Sequence, residues 1–170
     1  MHAAQQKFCE HVKGMYPERF ENKKVLDSGS LDINGNNRYL FTDCDYTGLD
    51  IGKGPNVDVV CPTHLYLDGA LEQFDTIIST EQLEHDKHWR GSVRRMMELL
   101  RPRGLLLITC AGLGRGEHGT AANTPQDSPY TTDYYHNVVE EELAEVLRER
   151  FWATSLTNQT GVDVRAYGVL

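Results

Sequence analysis

The stretch that decides the fold runs from residue 74 to residue 109 and reads FDTIISTEQLEHDKHWRGSVRRMMELLRPRGLLLIT. Its beginning, residues 74–79, is a short apolar run that predicts a buried strand, and the fully apolar run 105–109 predicts another. Between them, residues 86–100 carry apolar side chains at helical spacing, and Arg101-Pro102-Arg103-Gly104 ends this predicted helix. A strand, a helix and a strand in this order predict two parallel strands joined by a crossover helix.

The rest of the chain continues this alternation of strands and amphipathic helices. Residues 3–15 place apolar side chains on one face of a helix that Pro17 ends. Another helix is predicted to begin after an N-cap at Asn137, with Glu140 in the capping-box position. Further strands are predicted at 23–28, 46–51, 57–61, 151–156 and 162–170. The last two strands are joined by a short connection through residues 158–161, so these must be antiparallel.

Together these elements predict an α/β fold. We expect an open, mostly parallel seven-stranded sheet with helices on both faces and a C-terminal antiparallel hairpin. A length of 170 residues suits one domain, so residues 1–170 are expected to form a single unit. Residues 110–136 are rich in Gly, Thr and Pro and have no periodicity, which predicts a long loop with a functional role.

Charge and composition exclude several classes of protein. The net charge is -8, and nucleic-acid binding needs clustered positive charge, so a nucleic-acid partner is not expected. The mean hydropathy is -0.50 and no apolar run could span a bilayer, so we expect no membrane association. The N-terminus lacks the apolar core of a signal peptide, which predicts a cytoplasmic protein. The four cysteines form no C-x-x-C pair and are interpreted as reduced core residues.

Residues at the ends of the predicted strands are the first candidates for a site. In open α/β sheets, ligands bind beyond the carboxyl ends of the strands. Glycine at such an end lets a ligand approach the backbone closely, and an acid at the end of the next strand is spaced to bind ribose hydroxyls. The candidates are Asp27, Gly29 and Ser30 after the first strand, Asp50 and Ile51 after the second, His64 and Leu65 after the third, and Thr80, Glu81 and His85 after the fourth.

Five segments resemble, in order, the motifs of class I S-adenosylmethionine-dependent methyltransferases. The closest likeness is to a small methyltransferase-11-like branch with a strand-four motif of S-x-E-x-L-E-H type. The segments are Val25-Leu26-Asp27-Ser28-Gly29, Leu49-Asp50, residues 74–85, residues 100–106 and Asp133-Tyr134-Tyr135-His136. The resemblance covers nearly the whole chain. It implies a Rossmann-like sheet, S-adenosyl-L-methionine as cofactor and methyl transfer as activity.

The resemblance also implies roles for individual residues. Asp27 would meet the cofactor's ammonium group, directly or through water, and Asp50 the ribose hydroxyls. His64 and its neighbours would flank the adenine, and Glu81 falls where the fourth motif faces the cofactor. One departure concerns the first motif, usually Gly-x-Gly-x-Gly, in which Leu31 and Ile33 replace the second and third glycines and give the loop another path.

The methyl acceptor is less well specified than the cofactor. A general base is needed only if the acceptor keeps its proton at neutral pH, and His85 and His118 are the first candidates because histidine titrates near neutrality. No N/D-P-P-Y run follows the fourth strand, which argues against methylation of base amines. The expected acceptor is a small molecule or a sugar- or peptide-linked group. Its site would come from residues 1–20 and 110–136, or from the partner subunit of a homo-oligomer.

Two alternatives stay open beside this hypothesis. The altered first motif favours a catalytically inactive cofactor-binding or scaffold subunit. A nicotinamide-dependent oxidoreductase is opposed by the missing G-x-G-x-x-G motif and by the terminal hairpin. His85 and His88 could be taken as an H-x-x-H metal pair, but the sequence offers no evident third ligand, so no metal is expected.

Overall fold

The computed structural model of the protein describes residues 3–151, 155–157 and 161–170. Over these residues the α-helices are α1 (Ala3–Met15), α2 (Trp89–Leu99) and α3 (Glu140–Arg148). The strands are β1 (Lys24–Ser28), β2 (Asp45–Asp50), β3 (Val59–Val60), β4 (Phe74–Thr80), β5 (Leu100–Ala111), β6 (Ser155–Thr157) and β7 (Asp163–Val169). None of the helices in this part of the chain has the length and apolar character needed to cross a bilayer.

The strands form one mixed sheet in the order β3-β2-β1-β4-β5-β7-β6. In this order the first five strands, from β3 to β5, run parallel to one another, and β7 runs antiparallel to both β5 and β6. The predicted α/β class, the mostly parallel sheet and the C-terminal antiparallel hairpin are confirmed. The chain leaves β1 in one direction to β2 and later returns to its other side with β4, so the switch point of the sheet lies between β1 and β4.

Helices cover both faces of the central strands. Side chains alternate along a strand, so neighbouring residues of β4 and β5 point to opposite sides of the sheet. Ile77 and Leu106 belong to a large apolar cluster with residues of α2 and α3, whereas Ile78 and Leu107 belong to a smaller cluster with residues of α1. Burial on both faces explains why these strands are continuous apolar runs in the sequence.

The fifth strand begins earlier than predicted. The prediction placed it at 105–109, but β5 pairs with β4 from Leu100 onward, and the register shifts where Phe74 pairs with Leu100 and Thr76 with Leu105. Arg103 adopts a positive φ of 65° within this irregularity, and its N–H donates to the carbonyl oxygen of Leu170. The prediction was wrong because proline and glycine were taken as a break, whereas here they lie in a bulge that the C-terminus completes.

The start of α3 also differs from its prediction. Val139 occupies the N-cap position, and no side chain caps the helix. The Asn137 amide instead donates to the carbonyl oxygens of Gly112 and Arg115, at 2.6 and 2.9 Å. Three glutamates in the first turn offset the missing cap by facing the positive end of the helix dipole. Of the predicted strand 151–156, residues 152–154 lie outside the described residues, as do residues 158–160 of the predicted turn.

Candidate functional site

Two adjoining cavities lie at the carboxyl ends of β1, β2 and β4. The first cavity has a volume of about 480 Å³ and the second of about 410 Å³, both within the range of small-molecule sites. Asp50, Ile51, His64 and Leu65 line the first cavity. Asp27, Ser30, Thr80 and His118 line the second, and Gly29, Glu81 and His85 line both. The eleven residues singled out in the sequence thus surround one continuous cleft; their roles in binding stay predictions.

Gly29 lines both cavities, and its backbone conformation and its close neighbours both require glycine at this position. Its φ is +76°, and a Cβ there would lie 2.6 Å from Cβ of Gln82. The Gln82 amide oxygen accepts hydrogen bonds from Ser28 and Ser79, at 2.7 and 2.8 Å, and its amide nitrogen donates to Thr63. Gln82 therefore ties together the ends of β1 and β4 and the turn after β3, and glycine leaves the space for it.

Asp50 presents its carboxylate at the edge of the first cavity. Oδ2 accepts a hydrogen bond from the N–H of Leu31 at 3.1 Å, and Oδ1 accepts one from Gly52 at 2.9 Å. Burial raises the pKa of Asp50, and these backbone donors oppose that rise. A carboxylate accepts about four hydrogen bonds, so Asp50 keeps acceptor capacity for a ligand. Ile51 and Leu65, each more than half exposed, give the same cavity apolar walls.

Asp27 lies deeper than the sequence suggested. Its side chain is buried, and it accepts hydrogen bonds from Tyr46, Asn37 and Asn56. Burial raises its pKa to about 6, against the effect of these donors. Asn37 also donates to the Thr80 hydroxyl at 3.0 Å. Asp27 is thus first of all the anchor of the loop that follows β1, and only one of its acceptor positions is left for a ligand.

Glu81 connects four parts of the chain at the cleft. It has a positive φ of 58°, a strained conformation for a residue other than glycine. Its Oε1 accepts a hydrogen bond from Gln5 of α1 at 2.8 Å, and its Oε2 pairs with Arg115 at 2.6 Å. Arg115 also lies 3.1 Å from Asp163 of β7. This network orients Glu81 toward both cavities and ties the segment after β5 to the sheet.

The two candidate bases lie side by side at the second cavity. The rings of His85 and His118 meet edge to face with centroids 5.0 Å apart, and Tyr135 packs against both. Burial, together with the nearby His118, lowers the pKa of His85 to about 4. A base with so low a pKa has little driving force to accept a proton at neutral pH, so the geometry weakens the sequence argument for His85 as general base.

Sequence reasoning missed three residues that shape the cleft. Gln82 stands inside the strand-four motif, and its position at a strand end was a usable signal. Arg115 and Tyr130 lie in the aperiodic segment 110–136, where no spacing pattern marks a residue for the site. The prediction that this segment forms a loop at the site fits its position, because Arg115, Gly116 and His118 line the second cavity and most residues between 127 and 134 line the first.

Solved methyltransferases share this fold. The 1,6-didemethyltoxoflavin-N1-methyltransferase of Burkholderia thailandensis, solved with 1,6-didemethyltoxoflavin and S-adenosylhomocysteine, matches with a TM-score of 0.67 and 20% identity, over 98% of this chain and 78% of that one. An S-adenosylmethionine-dependent methyltransferase of Archaeoglobus fulgidus matches with a TM-score of 0.66 and 12% identity, over 98% and 94%.

A third match spans only part of its counterpart. The phosphoethanolamine N-methyltransferase 2 of Haemonchus contortus, in complex with S-adenosyl-L-methionine, has a TM-score of 0.61 and 21% identity, over 88% of this chain but 39% of that one. No protein-family model and no curated protein matches the chain. The chain therefore has the Rossmann-like fold of class I methyltransferases, and the particular branch stays a prediction.

Proposed function

We propose that the chain is an S-adenosyl-L-methionine-dependent methyltransferase. The observation that carries the proposal is the carboxylate of Asp50, held by two backbone N–H groups at the edge of an open cavity beside the switch point of the sheet. Ligands of open α/β folds bind at such switch points, and an acid at the end of the second strand is the usual partner of ribose hydroxyls. The carboxylate of Asp50 keeps acceptor capacity for that purpose.

The first cavity suits the adenosine end of the cofactor. Its apolar walls include Ile51 and Leu65, and His64 adds an aromatic ring to the lining. Leu31 and Ile33, which replace glycines of the usual first motif, line this cavity too and leave its volume open. An adenine ring could pack between these side chains while the ribose reaches Asp50.

The second cavity suits the charged methionine end. Its lining is rich in polar groups, including Ser30, Asn37 and Arg115. With a pKa of about 6, Asp27 is ionised at neutral pH and could attract an ammonium group through its remaining acceptor position or a bridging water. Because Gly29 and Glu81 line both cavities, a single elongated ligand could occupy them together.

The protein's part in the reaction is mainly to hold two molecules in line. When bound, S-adenosyl-L-methionine supplies an electrophilic methyl group on its sulfonium, so the chain has to position the acceptor and exclude water. The segment 110–136 lines both cavities and is our candidate for the acceptor-binding element. We propose a small molecule or a sugar- or peptide-linked group as acceptor, in agreement with the acidic balance of the chain.

Calorimetry with S-adenosyl-L-methionine and S-adenosylhomocysteine tests the cofactor assignment. We expect each to bind at one site, and the absence of binding by both at millimolar concentration would overturn the proposal. Release of S-adenosylhomocysteine, followed across a panel of hydroxyl, amine and carboxylate acceptors, then tests the activity. Tight cofactor binding without turnover of any acceptor would favour the alternative of a catalytically inactive subunit.

A further inference from the structure

Glu84, His85 and His118 come together in a cluster that the reaction above does not require. One ligand atom from each residue lies within 4.8 Å of the other two. Glu84 and His85 are buried, and His118 is half-buried. We propose that these three side chains form a binding site for a divalent transition-metal ion of the zinc class.

Glu84 gives the strongest reason to expect a cation. Its side chain is fully buried, and neither carboxylate oxygen has a hydrogen-bond partner among the described residues. The N–H groups of Glu84 itself and of Ala111 lie nearby without meeting hydrogen-bond geometry. Burying a carboxylate without such partners is unfavourable unless a proton or a cation compensates the charge. A metal ion bound by this carboxylate would supply that compensation.

Each of the two histidines has a ring nitrogen that is available to a metal ion. A ligating imidazole usually donates its other ring N–H to a carbonyl or carboxylate, which fixes its tautomer. Nδ1 of His118 lies 3.1 Å from the carbonyl oxygen of Gly116, an acceptor to which Nδ1 can donate, which leaves Nε2 as the nitrogen for a metal. His85 interacts with the carbonyl of Tyr134, while its buried Nδ1 has no partner in the described part of the chain. Each ring thus keeps one nitrogen for a metal.

The dimensions and chemistry of the cluster indicate the kind of ion. For three atoms at most 4.8 Å apart, a central ion lies within about 2.8 Å of each, and shifts of about 0.7 Å would reach zinc coordination distances. Two imidazoles and one carboxylate favour zinc-class ions over magnesium and calcium, which prefer oxygen ligands alone. The sequence had offered His88 as the partner of His85, but the His88 ring packs against His64 instead, with centroids 4.4 Å apart.

Three protein ligands leave one coordination position open. In zinc proteins this is typical of catalytic sites rather than structural ones. The position would face the second cavity, because His85 and His118 both line it. There it could take an oxygen atom of the acceptor. This use of the open position rests on the proposed function, whereas binding of the metal itself does not.

Titration of the metal-free full chain with Zn²⁺ tests the site. Calorimetry measures the binding in the absence of any other ligand. We expect one ion per chain, and at least a tenfold loss of affinity in both His118→Ala and Glu84→Gln. His88→Ala and His11→Ala are the matched controls, since both residues are exposed histidines outside the cluster, and they should bind as the parent does. Replacing Zn²⁺ by Co²⁺ should give the visible absorption of a four- or five-coordinate ion in the parent and not in His118→Ala.

The absence of Zn²⁺ binding would overturn the inference, and so would unchanged binding by a folded His118→Ala or a loss of binding in His88→Ala. Circular dichroism of each variant distinguishes loss of the site from loss of the fold. The two proposals can fail separately. Zn²⁺ binding without binding of S-adenosyl-L-methionine would contradict only the proposed function, and the reverse result would contradict only the metal site.

Discussion

The aromatic ring of Tyr130 packs against the backbone of Gly52 so closely that a Cβ at position 52 would lie 1.9 Å from the ring. The Tyr130 hydroxyl also donates a hydrogen bond to the carbonyl oxygen of Lys53 at 2.8 Å. These contacts join the segment that follows β5 to the chain just beyond Asp50. Tyr130 also lines the first cavity. This wall of the cavity can therefore take its position only because residue 52 has no side chain.

Gly52→Ala should therefore weaken cofactor binding although it removes no polar group from the site. The added methyl group has to displace the Tyr130 ring, and we expect a loss of about 1–2 kcal/mol, roughly tenfold in affinity for S-adenosylhomocysteine. Calorimetry measures this loss. Gly14→Ala is a suitable control, since a Cβ at position 14 meets nothing within 4 Å. Equal affinities of Gly52→Ala and the parent would show that Tyr130 does not close the cavity on the ligand.

Asp50→Ala tests the ribose assignment directly. If the carboxylate binds ribose hydroxyls, its removal should weaken S-adenosylhomocysteine binding by about 1–3 kcal/mol. Part of any loss could come from the N–H groups of Leu31 and Gly52, which the carboxylate holds. A ligand lacking the 2′-hydroxyl separates the two effects, because the parent should discriminate against it and the variant should not. Asp68→Ala, at an exposed position, should bind both ligands as the parent does.

The raised pKa of Asp27 makes the stability of the protein depend on pH. Burial raises its pKa from 3.8 to about 6, so between these values the folded state binds more protons than the unfolded state. The contribution of this group to the free energy of unfolding therefore falls as the pH rises through that window. Asp27→Asn cannot titrate, and from pH 4 to pH 7 its stability should improve relative to the parent by about 2–3 kcal/mol. Urea unfolding at several pH values measures the difference; a constant difference would contradict the assignment.

The central strands were predictable because their signal is local. An apolar run bounded by glycine, proline or charged residues has few options other than a buried strand, and β1, β2 and β4 lie within a residue or two of their predictions. The helical spacing of Trp89, Val93 and Met96 likewise predicted the buried face of α2. Burial of these apolar side chains stabilises such strands and helices whatever the position of the rest of the chain.

Local signals failed where a distant segment competes for the same group. Asn137 has the residue type of an N-cap, but its amide binds the carbonyl oxygens of Gly112 and Arg115, which the sequence could not place beside it. Pro102 and Gly104 are typical breakers, yet the C-terminal Leu170 pairs with this segment and keeps it in the sheet. In both cases tertiary hydrogen bonds outweigh a local preference of about 1 kcal/mol.

On its own, the sequence determined the parallel core and the strand ends at which a ligand could bind. This follows because alternating strands and helices bring the carboxyl ends of parallel strands to one edge of the sheet. Only the tertiary structure decided which side chains meet at that edge. Glu84 and His85 are neighbours in the chain, but His118 joins them from 33 positions away through the path of an aperiodic loop. No local pattern encodes such a contact, because it depends on how packing and hydrogen bonds across the whole fold place that loop.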